Sequence, residues 1–129
     1  MSSKNNKKSI SQSESKIMHI LWQESPLDGK QIAEKLKSET WSFVTIKTLI
    51  NRLLKKGYLS FEKNGRRYLY TTTISKKAYL KSENRQFLQR MYKGSFSGLF
   101  ASFSDHEKIS KDELNEIKQI ISEMEKNHE

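Results

Sequence analysis

Between residues 10 and 74 the apolar positions follow a helical rhythm three times and then switch to alternation. In SQSESKIMHILW, Ile17, Met18, Ile20, Leu21 and Trp22 form a broad apolar face. Ser11 with Glu14 predicts a capping box at the start of this helix, and Pro26 predicts its end near residues 23–25. LDGKQIAEKL predicts a shorter helix, capped by Asp28 with Gln31, whose stripe is Ile32, Ala33 and Leu36. SFVTIKTLINRLLKKG is the most regular segment. Ile46, Leu49, Ile50, Leu53 and Leu54 fall at i, i+3, i+4, i+7 and i+8, with Ser42 as N-cap and Gly57 as C-terminal cap. YLSFEKNGRRYLYTT then alternates, rich in aromatic and β-branched residues. It predicts two strands joined at Asn64-Gly65 by a type I′ turn.

From residue 75 the helical rhythm returns. Leu80, Phe87, Leu88 and Met91 lie on one side of SKKAYLKSENRQFLQRMY, and Gly94 interrupts. Phe96, Leu99, Phe100 and Phe103 stripe the next helix. Ser110 with Glu113 predicts a third capping box at the start of the last, where Leu114, Ile117, Ile121 and Met124 form a heptad-like seam. The expected class is mainly α (α+β): an N-terminal winged helix-turn-helix with a β-hairpin wing, then a C-terminal helical dimerisation region. The expected divisions are a mobile basic tail (1–9), a DNA-binding domain (10–74) and a helical dimerisation domain (75–129).

Charge sharpens this picture. The 129 residues carry a formal net charge of +9, which points to a polyanion or an acidic membrane face. Residues 1–74 hold 14 Lys/Arg against 6 Asp/Glu, whereas residues 75–129 hold 10 against 9. The first part therefore faces an anion, and the second has another task. A charged helix face is usually just a solvated face, and such faces mix both signs. No acid occurs between Val44 and Lys56, so the outer side of the third helix reads as a binding face. Its candidate contacts are Ser42, Val44, Thr45, Lys47, Thr48, Asn51 and Arg52: hydroxyls and cations suit phosphates and base edges. Lys63, Arg66 and Arg67 beside the turn would alone fit a solubilising loop that protects sheet edges. Directly after a basic third helix they read as a wing on phosphate.

The remaining composition mostly excludes. Hydrophobic residues make up 34% of the chain, low for a self-contained globule. The Phe96, Leu99, Phe100 and Phe103 stripe and the Leu114, Ile117, Ile121 and Met124 seam exceed what one short appendage can bury, so a homodimer is expected. A surface-seeking membrane helix would need flanking cations that SFSGLFASF lacks, and no run approaches the ~20 apolar residues of a span. The first residues are basic with no apolar region behind them, unlike a secretory signal. Zero cysteines exclude disulfides and thiolate metal sites, and suit a cytoplasmic location. His19, His106 and His128 are scattered, and no Gly-rich phosphate loop or nucleophile triad occurs. The expectation is no enzyme, no metal and no cofactor. The rival to DNA is a module docking its basic face on an acidic protein partner.

ISQSESKIMHILW, TWSFVTIKTLINRLLKKGYL, GRRYLYT and FLQRMYKGSFSGLFASF resemble the BlaI/MecI penicillinase-repressor family, which includes the CopY regulators. The resemblance spans residues 10–124. It implies a homodimeric bacterial repressor whose winged helix binds a palindromic, double-stranded operator and whose C-terminal helices interlock. The family's DNA-facing positions fall on Ser42, Val44, Thr45, Lys47, Thr48 and Arg52. Val44 stands where resistance repressors tend to have lysine, and Phe43 where they have proline. The resemblance also implies a sensor protease as partner. The bond matching the family's Asn-Phe cleavage site is Ser102–Phe103, without the asparagine. The Cys-x-Cys pairs of CopY members are absent, which excludes copper sensing by that route.

Overall fold

The computed structural model describes residues 8–128. Its elements are α1 (Gln12–Gln23), α2 (Gly29–Lys35), a 3-10 turn (Lys37–Glu39), α3 (Phe43–Lys56), β1 (Leu59–Asn64), β2 (Arg67–Thr72), α4 (Lys76–Tyr92), α5 (Phe96–His106) and α6 (Lys111–Lys126). The chain divides into two compact units between Glu83 and Asn84.

Local chemistry sets the helix ends. Ser11 and Glu14 form a reciprocal capping box on α1, as Asp28 and Gln31 do on α2. The Ser42 hydroxyl accepts the Thr45 N–H at the start of α3, and Gly57 closes that helix at φ 88°. In the first unit the expected stripes meet. Ile17, Met18 and Leu21 of α1, Ile32 and Leu36 at α2, and Ile46, Leu49, Ile50 and Leu53 of α3 enclose one core. Burying each such side chain contributes about 1.5–3 kcal/mol, so these stripes dominate the choice of packing.

β1 and β2 pair antiparallel with Asn64 opposite Arg67. The two loop residues are therefore Gly65 and Arg66 rather than the expected Asn64 and Gly65. Gly65 has φ +67° while Arg66 stays at negative φ. That pattern fits a II′ turn, which puts glycine first, and not I′, which needs positive φ at both positions. Arg66 thus occupies the tip. Leu27 exchanges both backbone hydrogen bonds with Tyr70, at 3.1 and 2.8 Å, which gives the wing a third short edge. Order and packing together make this unit a winged helix-turn-helix.

The core does not stop at residue 74. Tyr79 on α4 packs against it, touching the rings of Trp22 and Tyr58. The Trp22 indole N–H donates to the Ile74 carbonyl at 2.8 Å. The expected mobile tail also needs correction at its inner end. The Tyr58 hydroxyl donates to the Lys8 carbonyl, Lys56 Nζ to the Ser9 carbonyl, and the Ile10 N–H to the Tyr79 hydroxyl. Residues 8–10 are fastened by these three bonds, and the rest of that expectation lies outside the described residues. Burial raises the Tyr58 hydroxyl to a pKa of about 12.

Beneath this clamp, Glu14 is 1% exposed. Its Oε1 accepts Lys56 Nζ at 2.7 Å and the Ser11 N–H at 2.9 Å. Burial alone would raise its carboxyl, but the Lys56 and Ser11 bonds outweigh it and the net pKa is lowered. In the sequence Glu14 is legible only as a cap, and nothing local joins it to Lys56, 42 residues away.

The second unit is built differently. Lys93 and Gly94 turn the chain at φ 51° and 83°, Ser95 caps α5, and Ser110 caps α6 through its hydroxyl on the Glu113 N–H, half of the box expected there. No described residue of α4, α5 or α6 is fully buried. No described helix is long and apolar enough to cross a membrane.

Because the folded Glu14 pKa lies below its unfolded value, the unfolded chain takes up that proton first. This increment of stability is complete above the ordinary carboxylate range and fades as pH falls through it and the folded pKa. We predict that Glu14→Gln flattens the acid limb of a Tm-against-pH curve. Lys56→Met strands a buried carboxylate and should cost about 3 kcal/mol in urea unfolding. A parent-like midpoint for Lys56→Met would show that the pair does not hold the fold.

Candidate nucleic-acid interface

Seating the α3 stripe on α1 and α2 turns the opposite face outward. Val44 is 73% exposed, and Thr45, Thr48, Asn51 and Arg52 are exposed with it. Three of the hydroxyls already take part in hydrogen bonds within the helix. Ser42 Oγ caps Thr45 N–H and donates to Thr45 Oγ1 at 3.1 Å, while Thr48 Oγ1 donates to the Val44 carbonyl at 3.0 Å.

Lys47 differs from its neighbours. It is half-buried, and its Nζ donates to the Tyr70 hydroxyl at 3.1 Å. Tyr70 is itself buried and holds the Leu27 bridge. One tyrosine thus joins α3, the wing and the strand before α2. Read from the sequence, Lys47 is a candidate contact to phosphate or base edges; here its ammonium begins on the wing.

The wing cations also separate. Arg66 sits exposed at the tip. Arg67 Nε pairs with Asp28 Oδ2 at 2.9 Å, so it braces the wing against the N-cap of α2. The Asp28 carboxyl is held below its usual pKa chiefly by the Gln31 backbone N–H, with Arg67 adding to it. Lys63 Nζ lies 5.7 Å from the Tyr68 ring, and Tyr68 stacks on Phe61 with centroids 4.6 Å apart and planes 4° from parallel. Phe61, Lys63, Tyr68 and Tyr70 share one face because they pair across the ladder in register.

Between α2, α3 and the wing lies a groove of about 550 Å³, lined by Asp28, Lys30, Phe43, Lys47, Arg66 and Tyr68 among others. Lys30 and Phe43 were not among the sequence candidates. The signal for the ladder was present in the alternation of FEKNGRRYLY, but nothing local tied Lys30 to it. Cations over aromatic walls, open to solvent, suit a phosphate backbone with sugars or bases against it. No group of three metal-capable side chains gathers among the described residues.

The candidate residues of the second unit are likewise uncovered. Phe96, Phe103, Leu114, Ile121 and Met124 are exposed, and Leu99, Phe100 and Ile117 are half-buried. Ile120, absent from the expected seam, is exposed as well. Ser102 is half-buried within α5, so the Ser102–Phe103 bond lies in helical backbone.

Asp28 serves both as N-cap and as the Arg67 partner, and two substitutions separate these roles. Asp28→Asn retains the cap and removes the charge, so thermal stability should fall by less than about 1 kcal/mol. Asp28→Ala removes both and should cost about 1 kcal/mol more. Equal losses in the two variants would mean that the cap contributes nothing.

The penicillinase repressor family model matches residues 10–123. The chain is 35% identical over 115 residues to the penicillinase repressor of Bacillus licheniformis, covering 88% of this chain and 90% of that one. It is 31% identical over 114 residues to the methicillin resistance regulatory protein MecI of Staphylococcus aureus strain N315, covering 88% and 93%. Among solved structures, a point mutant of the S. aureus protein MepR aligns at TM-score 0.51 and 15% identity, covering 93% of this chain and 80% of that one. That last likeness bears on the fold alone. With most of its length matched to the family model and to relatives above 30% identity, the chain belongs to the penicillinase repressor family.

Proposed function

We propose that the protein is a DNA-binding transcriptional repressor of the cytoplasm, acting as a homodimer on a palindromic operator. The observation that carries this reading is the outer face of α3. It is exposed, has no acid between Val44 and Lys56, and lies beside a wing bearing Lys63 and Arg66. In a winged helix-turn-helix the third helix enters the major groove with its N-terminal turns on base edges. On this reading Ser42, Val44, Thr45, Thr48, Asn51 and Arg52 face the bases and nearby phosphates. Arg66 and Lys63 hold the backbone, and Lys47 reaches DNA from its seat on Tyr70. Arg67 contributes mainly by keeping the wing upright.

Dimer formation is supported by the unpartnered apolar faces of α5 and α6. Phe96, Phe103, Leu114, Ile121 and Met124 are large and exposed, an arrangement a second copy would cover. Two subunits double the phosphate contacts and match operator symmetry. Release by a sensor protease cutting at Ser102–Phe103 belongs to the same proposal, and would require local opening of α5.

Gel shifts on operator duplex test these roles. Lys47→Ala and Arg52→Ala should each weaken binding by about 1–3 kcal/mol. Arg66→Ala should weaken binding to any sequence and lower the slope of log K against log salt by about 1. Parent-like binding by all three would reject the assigned face; retention of an acidic protein but not of duplex DNA at low salt would favour the rival module. Ile121→Asp should halve the mass in sedimentation equilibrium while the far-UV spectrum of the winged unit persists. A parent already monomeric at micromolar concentration would end the dimer reading.

A further inference from the structure

The first turn of α3 presents an unusual surface for a helix meant to meet base edges. Val44, its second residue, is an aliphatic side chain 73% exposed. The polar arms around it are largely committed. Ser42 Oγ caps Thr45 N–H and donates to Thr45 Oγ1. Thr48 Oγ1 donates back to the Val44 carbonyl, and the Lys47 ammonium is turned onto the Tyr70 hydroxyl. What this turn offers outward includes the Val44 isopropyl group, an apolar patch on an otherwise polar face.

The major groove gives such a surface one apolar counterpart. Guanine presents two acceptors, adenine an acceptor and a donor, cytosine an amino group, and thymine O4 with the 5-methyl. An isopropyl group set against any of the polar edges would strip water from them and return no hydrogen bond. Against a 5-methyl it removes apolar surface from water on both partners. Val44 lies on the face of α3 opposite the buried stripe and makes no part of the buried cluster.

We infer that Val44 is a specificity-determining residue that reads a thymine 5-methyl group in each operator half-site. The inference rests on the DNA-binding reading above and specifies what the first turn of α3 recognises. Phe43, the residue before it, is 47% exposed and lines the neighbouring groove between α2, α3 and the wing.

The test starts from the full chain and a pool of random duplexes. Bound sequences are selected at low salt, and each thymine of the preferred site is then replaced singly by deoxyuridine, which removes only the methyl. One thymine per half-site should show about a four-fold loss on this exchange, the worth of one buried methyl group. Val44→Ala should bind the thymine and deoxyuridine sites equally. Val44→Lys, selected anew, should favour guanine at that position, where a lysine finds two acceptors. At this exposed position both variants should keep the parent melting temperature. If no deoxyuridine exchange weakens the parent, or if Val44→Ala keeps the same sensitivity, the inference is overturned while the DNA-binding reading stands. If the pool yields no bound duplex at all, that reading falls and takes this one with it.

Discussion

The aliphatic stripe of α3 is the constraint on which the rest of the structure hangs. Ile46, Leu49, Ile50 and Leu53 are all buried, at the spacing of one helical face. Together they are worth several kcal/mol of burial, on the order of the whole net stability of a small domain. The rotation of α3 about its own axis is therefore not free. With the stripe inward, Val44, Thr48, Asn51 and Arg52 must face out, and no rearrangement of surface charge can compete with that term.

Polar joints then fix what burial leaves loose. A two-stranded hairpin is marginal by itself, and here it is held at three places. Leu27 pairs with the Tyr70 backbone, the Tyr70 hydroxyl meets Lys47, and Arg67 meets Asp28. The same economy operates at the other end of α3, where Lys56 joins buried Glu14 to the Ser9 carbonyl. The side-chain joints use Lys47, Arg67 and Lys56, residues whose charge could have served solvent or ligand. Reach to a partner, more than charge or exposure, separates a bracing cation such as Arg67 from Arg66 at the wing tip.

The two units solve the burial problem by different means. The first closes a core within one chain; the second leaves phenylalanines and isoleucines on α5 and α6 uncovered. Near-neutral charge in residues 75–129 suits that difference, since two copies of a strongly basic surface would repel on approach. Under the proposed pairing, one unit supplies the electrostatic grip and the other doubles it.

By itself the sequence determined the elements and their ends. Ser11, Asp28, Ser42 and Ser110 all cap helices where expected, because a cap reaches only three residues along the chain, although the box expected at Ser110 forms only its hydroxyl half. The stripes of α1 to α3 were equally legible, since helical period is written within each segment. The hairpin was legible as a hairpin, but its loop fell one residue later, on Gly65 and Arg66: register follows the packing of Tyr70 and Leu59 on the core, not the dipeptide alone. Only tertiary structure decided the fate of individual charges. That Lys56 would meet Glu14 across 42 positions, Arg67 meet Asp28 across 39, and Lys47 meet Tyr70 across 23 depends on where separate elements come to rest. No local pattern encodes such distances; they follow from the shape of a core that many residues build together.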